Sequence, residues 1–359
     1  MTDIKYVAFD VHQATISAAV LDLSGKLITQ AVLQTEAAAI RDFLRGLRGT
    51  VQLTFEEGTQ AQWLFDLTRP LVSELLVCNP RENHSMKRGN KSDRKDALQL
   101  ATLLRAGLLK KVYHGAPQAQ ALKHLAHSYD ALTEDTTRCM NRLKAVYRSQ
   151  AVKCAGRDVY YTRNRQSWLA KLKAEGVRLR AEFLYRQLDH LRELRRAARK
   201  AFLREAREQT AFKRLVKVPG LGPIRVAQII AAIGSPFRFG SKRQSWAYCG
   251  FGVITRSSAD YQVRGDKLER RYKSTQTRGL NPCFSRRLKL AFKGAALEAL
   301  KTEAFKKIYQ RLQAAGVRAE MARLTIARKL AAVVLAIWKN GEDYDEKKLS
   351  KLAASGQGA

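Results

Sequence analysis

The chain has 359 residues, 45% of them hydrophobic, with 66 Lys+Arg against 32 Asp+Glu and a formal net charge of +34. That length exceeds what one small core serves, so two or three domains are expected. A mean hydropathy of -0.34, with no long unbroken apolar run, excludes a membrane-spanning protein. The charge recurs along the whole chain instead of sitting on one amphipathic helix, which favours nucleic acid over an anionic membrane as partner.

In chain order, residues 4–11 (IKYVAFDV), 15–21 (TISAAVL) and 27–33 (LITQAVL) are short β-branched or alternating runs with turn-length gaps. They predict three successive strands in an antiparallel meander. A helix over 36–47, a strand over 51–56, a helix over 60–71 and a strand over 74–78 predict a mixed sheet flanked by helices. After the polar loop 86–92, a helix over 93–106 is predicted, with Ser92 as its N-cap. The opening MTDIKYVAFD carries neither a charged n-region nor an apolar h-region, so a cytoplasmic location is expected.

From Pro117 the texture turns helical, with long segments at 118–153 and 178–217 around the polar interval 154–167. Between Arg138 and Lys217 there are twenty-three Lys/Arg against seven Asp/Glu, too large an excess for one solvated helix face. Leu172, Leu179, Phe183, Leu188, Leu191 and Leu194 form a partial heptad-like stripe, which predicts a helical hairpin or coiled coil. Tyr160, Tyr161, Trp168 and Tyr185 are candidate stacking surfaces for unpaired bases. A third region opens with PGLGPIRVAQIIAAIG (219–234), which suits either a phosphate-binding hairpin or a plain tight turn between packed helices. A helix over 242–249, an irregular stretch over 252–282, and helices over 283–300, 303–315 and 318–339 follow, then a small polar tail.

Scarce acids in a basic chain carry the chemistry. Asp10 ends the first predicted strand and Glu56 the fourth, while Asp93 and Asp96 share a face of the helix that follows. Taken singly, Asp93 suits a helix start and Asp10 a turn. Taken together, carboxylates gathered against their own repulsion imply a shared divalent cation, and paired Mg²⁺ ions about 3.5–4 Å apart are a device for phosphodiester chemistry. The spacing resembles a ribonuclease-H-like arrangement. His12, beside Asp10, suits either support of that carboxylate or, more readily, ordinary turn packing. His124 and His127, with Asp130 near them, lack a third ligand and do not suggest zinc. The five cysteines are scattered with no CxxC, consistent with reduced thiols.

The segments FDVHQATISAAVLD (9–22), FEEG (55–58), NKSDRKDALQLATLL (90–104), PGLGPIRVAQIIAAIG (219–234), FRFGSKRQSWAYCGFG (237–252) and ITRSSADY (254–261) occur in a specific order and spacing. In that order the chain resembles the DEDD-type transposases of insertion-sequence family 110, relatives of the Piv/MooV DNA invertases, through about Gly341. The resemblance implies a RuvC-like, ribonuclease-H-type catalytic domain with an α/β mixed sheet over 1–116. It implies a basic helical, coiled-coil region over 117–217, a mostly helical C-terminal transposase domain over 218–345 and a flexible tail over 346–359. Asp10, Glu56, Asp93 and Asp96 match the family's four metal-binding acids, for two Mg²⁺ ions, and Ser258 matches a serine nucleophile.

The same resemblance implies donor and target DNA as substrates, a structured non-coding guide RNA as partner, and assembly as a dimer or tetramer. Two departures leave alternatives open. Glu57 competes with Glu56, because many relatives carry alanine after the glutamate, and Ser257 competes with Ser258, because Ala259 stands where glycine is common. Ser241 and Ser245 are expected to be structural or to contact nucleic acid. A metal-only nuclease and a non-catalytic nucleic-acid-binding scaffold are the competing functions.

Overall fold

The computed structural model of the chain describes residues 3–80, 93–115, 117–256, 261–265, 267–270 and 276–346. It divides into two compact units, Met1–Pro117 and Gln118–Ala359.

The first unit is built on five strands: β1 (Ile4–Val11), β2 (Thr15–Leu21), β3 (Leu27–Gln34), β4 (Thr50–Glu56) and β5 (Glu74–Cys78), in the order β3-β2-β1-β4-β5. β1, β2 and β3 form the antiparallel meander that their alternation predicts, and β4 and β5 add in parallel beyond β1. Parallel neighbours require a crossover, supplied by α1 (Ala37–Gly46) and α2 (Ala61–Thr68). Side chains alternate between the two faces of a strand. Val7, Phe9, Leu53, Phe55, Leu75 and Val77 therefore pack with Ile40, Leu44 and Leu64 of α1 and α2. Ala8, Ala19, Leu21 and Cys78 take the opposite face, covered by α3 (Asp93–Arg105) through Ala97, Leu100, Ala101 and Leu104. The Ser92 cap lies outside the described residues.

Two helices of 33 residues, α4 (Pro117–Ser149) and α6 (Glu175–Arg207), dominate the second unit. Each is about 50 Å long at 1.5 Å per residue. They run antiparallel as a hairpin: the Tyr129 ring stacks on Phe202 at 5.9 Å, and the Tyr147 and Tyr185 hydroxyls meet at 3.1 Å. Between them the chain forms short turns and α5 (Arg165–Leu169). Each long helix contributes to two separate cores. The end bearing Leu143, Tyr147, Ala181 and Tyr185 closes over Val159, Tyr160, Trp168 and Leu172. The other end, with Leu122, Ala126, Phe202 and Ala206, joins the larger core made by the rest of the unit.

That remainder comprises α7 (Phe212–Leu215), α8 (Pro223–Ile233), α9 (Lys242–Tyr248), α10 (Arg286–Ala299), α11 (Glu303–Ala314) and α12 (Ala319–Asn340). The expectation of an irregular 252–282 needs correction. β6 (Val253–Arg256) pairs with β9 (Gln276–Leu280), and β7 (Tyr261–Arg264) pairs with β8 (Lys267–Arg270), as two small antiparallel ribbons. Among the described residues no helix is long and apolar enough to cross a membrane.

The aromatic residues also correct the sequence reading. Tyr160, Trp168 and Tyr185 are buried core side chains, and of the four candidate stacking rings Tyr161 alone is exposed, at 43%. The leucine stripe splits in the same way. Leu172 and Leu188 are buried in the hairpin, while Leu179, Phe183 and Leu194 face outward.

The PGLGP segment folds as a tight turn. Gly220 has φ +79°, and a Cβ there would stand 2.1 Å from the carbonyl oxygen of Ala295 on α10. Arg225 closes the turn by donating from Nη1 to Gly220 O at 3.1 Å, and Pro223 occupies the first turn of α8, where its missing N–H costs nothing. Close packing accounts for this glycine without a phosphate.

Candidate active site

The site follows from the parity of the sheet. Phe9 pairs with Phe55 across the parallel β1–β4 ladder, so one residue further on Asp10 lies beside Glu56 at the carboxyl ends of adjacent strands. Both continue the face of Ala8 and Thr54, the face that α3 covers. The carboxyl ends of parallel strands are where open α/β sheets place their ligands. Here a cavity of about 470 Å³ opens over them, lined by Asp10, His12, Glu56, Glu57, Gly58 and Gln60 among others. Asp10 and Glu56 are half-buried, and Asp10 Oδ2 lies 3.3 Å from His12 Nε2.

The direction of α3 brings its first turn toward the same end of the sheet. Arg105, at its carboxyl end, reaches Leu23 O at 3.4 Å. That carbonyl follows β2 just past Leu21, the partner of Tyr6 near the start of β1. The amino end is held by Gln30 of β3, whose Nε2 donates to Arg94 O at 3.1 Å. Asp96 is half-buried next to the sheet-packed Ala97. The Asp93 side chain, together with Ser257 and Ser258, lies outside the described residues. Among the described residues, no three His, Cys, Asp or Glu side chains gather closely enough to hold a metal ion. The β1–β4 register and the shared cavity set Asp10 beside Glu56, and Asp96 does not complete a group of three with them.

Glu57 has a different occupation. Its Oε2 lies 2.7 Å from His114 Nε2, and His114 Nδ1 lies 3.0 Å from Gln62 Oε1. Gln62 Nε2 in turn donates to Asp66 Oδ1 at 3.0 Å. The His114 side chain is only 4% exposed, and its ring stacks on Phe65 at 4.8 Å. A carboxylate hydrogen-bonded to a buried, stacked ring is committed, so Glu57, although it lines the cavity, is held by His114. Sequence reasoning did not find His114. It is 57 residues from its partner and belongs to no local motif. We expect Glu56→Gln to remove metal-dependent strand cleavage, whereas Glu57→Gln loses at most about 10–100-fold, the range for residues that support a ligand indirectly. Cleavage rates over a Mg²⁺ series would check this, and equal losses for both variants would refute the distinction.

The remaining candidates fall to structural roles. Ser241 caps α9, its Oγ accepting from Gln244 N at 3.3 Å, and Ser245 is buried. Asp130 accepts from Gln228 Nε2 at 2.8 Å and pairs with Arg287 Nε, which ties α4 to α8 and α10. Burial, then the neighbouring Arg287 charge, hold the His127 ring below the usual histidine range. His127 and Asp130 are thus a fastening between helices.

The carboxylate oxygens that Asp10 and Glu56 offer at the cavity suit a hard divalent cation. Comparison with protein families gives two matches. A transposase family model, DEDD_Tnp_IS110, covers residues 7–149, and the Transposase IS116/IS110/IS902 family model covers residues 212–310. No curated protein matches the chain. The first match contains all four acids, and the second contains both serines.

Proposed function

We propose, on the premise that this chain carries IS110-family DEDD transposase domains, that it cuts and rejoins DNA with carboxylates of its first unit and a serine of its second. The observation that carries the reading is the pairing of Asp10 with Glu56 at adjacent strand ends, over one cavity, inside the DEDD segment. The strand order and mixed pairing support a ribonuclease-H-like, RuvC-like fold for this unit. Asp10, Glu56, Asp93 and Asp96 would hold Mg²⁺, which when bound supplies positive charge and Lewis acidity at the scissile phosphate.

Ser258 is the proposed nucleophile. Its Oγ forms a bond to phosphorus as the bond from phosphorus to the leaving deoxyribose oxygen breaks, and the proton Ser258 loses is balanced by the one the leaving oxygen gains. The phosphoserine keeps the phosphodiester energy for religation, so no nucleotide cofactor is required, and the sequence has no GxxxxGK[ST] loop. Ten Lys/Arg against two acids over 264–293 suit the DNA backbone around the cut. A structured RNA guide, assembly as a dimer or tetramer through the long hairpin, and a cytoplasmic setting complete the proposal, all resting on the family resemblance.

Trapping tests the serine. Denaturing electrophoresis after incubation with Mg²⁺ and DNA carrying the element's ends should show a covalent protein–DNA adduct that Ser258→Ala abolishes and Ser257→Ala retains. Free-ended products from Ser258→Ala would favour water as the nucleophile, as in a junction-resolving nuclease. Intact strands under all conditions would favour a non-catalytic scaffold.

A further inference from the structure

We infer that the α4–α6 hairpin carries, midway along α6, a binding site for single-stranded nucleic acid, combining an arginine pocket for phosphate with Tyr161 as a stacking platform for a base. The inference rests on the reading of the chain as a nucleic-acid enzyme and names a site that reading leaves unassigned.

The pocket has a volume of about 410 Å³ and is lined by Thr162, Asp189, Arg192, Arg195 and Arg196. Positions 189, 192, 195 and 196 recur at helical spacing and share one face of α6. The Asp189 carboxylate does not cancel this charge, because Arg165 already pairs with it at 2.8 Å. Three guanidinium groups therefore remain on a concave surface, where field lines focus. Guanidinium is suited to phosphate by its planar fork of donors.

Beside the pocket, Tyr161 precedes Thr162 in the turn between Asp158 and Asn164. The Arg163 guanidinium lies 5.4 Å from the centroid of its ring. The turn is fastened beneath this ring. Tyr185 Oη donates to Val159 O at 2.9 Å, Tyr160 Oη to Met140 O at 3.2 Å, and Arg192 Nη1 to Tyr160 O at 3.0 Å. A turn held from three directions keeps an exposed ring in place without a ligand, which lowers the ordering cost of binding. Tyr161 can stack on a base only if that base is unpaired, whereas the pocket itself is indifferent to base identity. The pairing of the two features selects a single strand.

The test uses the full chain, with Arg195→Gln/Arg196→Gln, Tyr161→Ala and Tyr161→Phe as variants. The probes are labelled oligo-dT and oligo-U of about 16 nucleotides, a length within the range that single-strand sites cover, and a duplex of the same length. Binding is measured across a salt series. The double arginine variant should flatten the log K against log salt slope on single strands by about 1.4, two phosphates at roughly 0.7 each. Tyr161→Ala should weaken single strands about tenfold and leave the duplex unchanged, with Tyr161→Phe retaining affinity. Tighter binding of oligo-U identifies RNA as the occupant, tighter oligo-dT identifies a displaced DNA strand, and equal binding leaves the site sugar-blind and the inference intact. An unchanged slope in the arginine variant, or an equal loss on the duplex from Tyr161→Ala, would overturn the site. Because these probes report binding alone, absence of strand cleavage would count against the catalytic proposal and leave this measurement unaffected.

Discussion

Asp10→Asn is expected to abolish Mg²⁺-dependent strand cleavage while leaving DNA binding in place. The loss should reach at least about a thousandfold, roughly 4 kcal/mol of transition-state stabilisation. Asparagine matches aspartate in shape, fits the same half-buried position at the end of β1 and can keep a hydrogen bond to the His12 ring now 3.3 Å from Oδ2. What it removes is the anionic oxygen beside Glu56, and a hard divalent cation depends on that charge. Binding is governed by a net charge of +34, which this substitution raises by one, so affinity for DNA should hold or rise slightly. Cleavage and gel-shift assays on the same preparation separate the two effects. A variant that cuts at the wild-type rate would remove the Asp10–Glu56 pair from the chemistry.

Gly220→Ala should cause the largest stability loss of any alanine substitution at the described glycines of the second unit. The residue sits at φ +79°, in the left-handed region that costs an L side chain about 1–2 kcal/mol. The new Cβ would also press on backbone, 2.1 Å from Ala295 O and 2.9 Å from Ala299 N, and helix backbone cannot swing aside as a side chain would. Adding about 1–3 kcal/mol for overpacking gives roughly 2–5 kcal/mol in all. At about 2–4 °C per kcal/mol for a unit of this size, thermal unfolding should move down by roughly 5–20 °C. Gly222→Ala is the control, because its φ of -76° is ordinary and nothing lies within 4 Å of the added methyl. It should cost under about 1 kcal/mol. Similar losses at both positions would show that α10 yields to the intrusion.

The first eighty residues were legible because their pattern and their environment agree. IKYVAFDV and TISAAVL become strands with buried faces, and the gaps between them are too short for anything except hairpins. The ribbons β6 to β9 were not legible, because their described side chains bury almost nothing. Val263 and Leu268 remain 74% and 71% exposed, so YQVR and KLER lack the apolar alternation that marks a half-buried strand. Aromatic residues failed for the opposite reason. In a segment rich in arginine, Tyr160 and Tyr185 resemble a binding surface, yet their hydroxyls are taken up by the backbone carbonyls of Met140 and Val159. The choice between Glu56 and Glu57 required the third dimension. Strand parity sets the first beside Asp10, and a histidine far along the chain holds the second.

The two long helices each take root in both cores of the second unit, which constrains how this arm can change in evolution or by design. Lengthening α4 alone by a turn would carry its Tyr147 end about 5.4 Å past the Tyr185 end of α6, parting the hydroxyl pair that closes the tip. Matched insertions in both helices would instead carry the tip outward as a unit, with Tyr161 and the arginine pocket travelling together. The hairpin therefore acts as a spacer adjustable only in paired increments. Natural variation in its span should appear as equal gains or losses on its ascending and descending limbs.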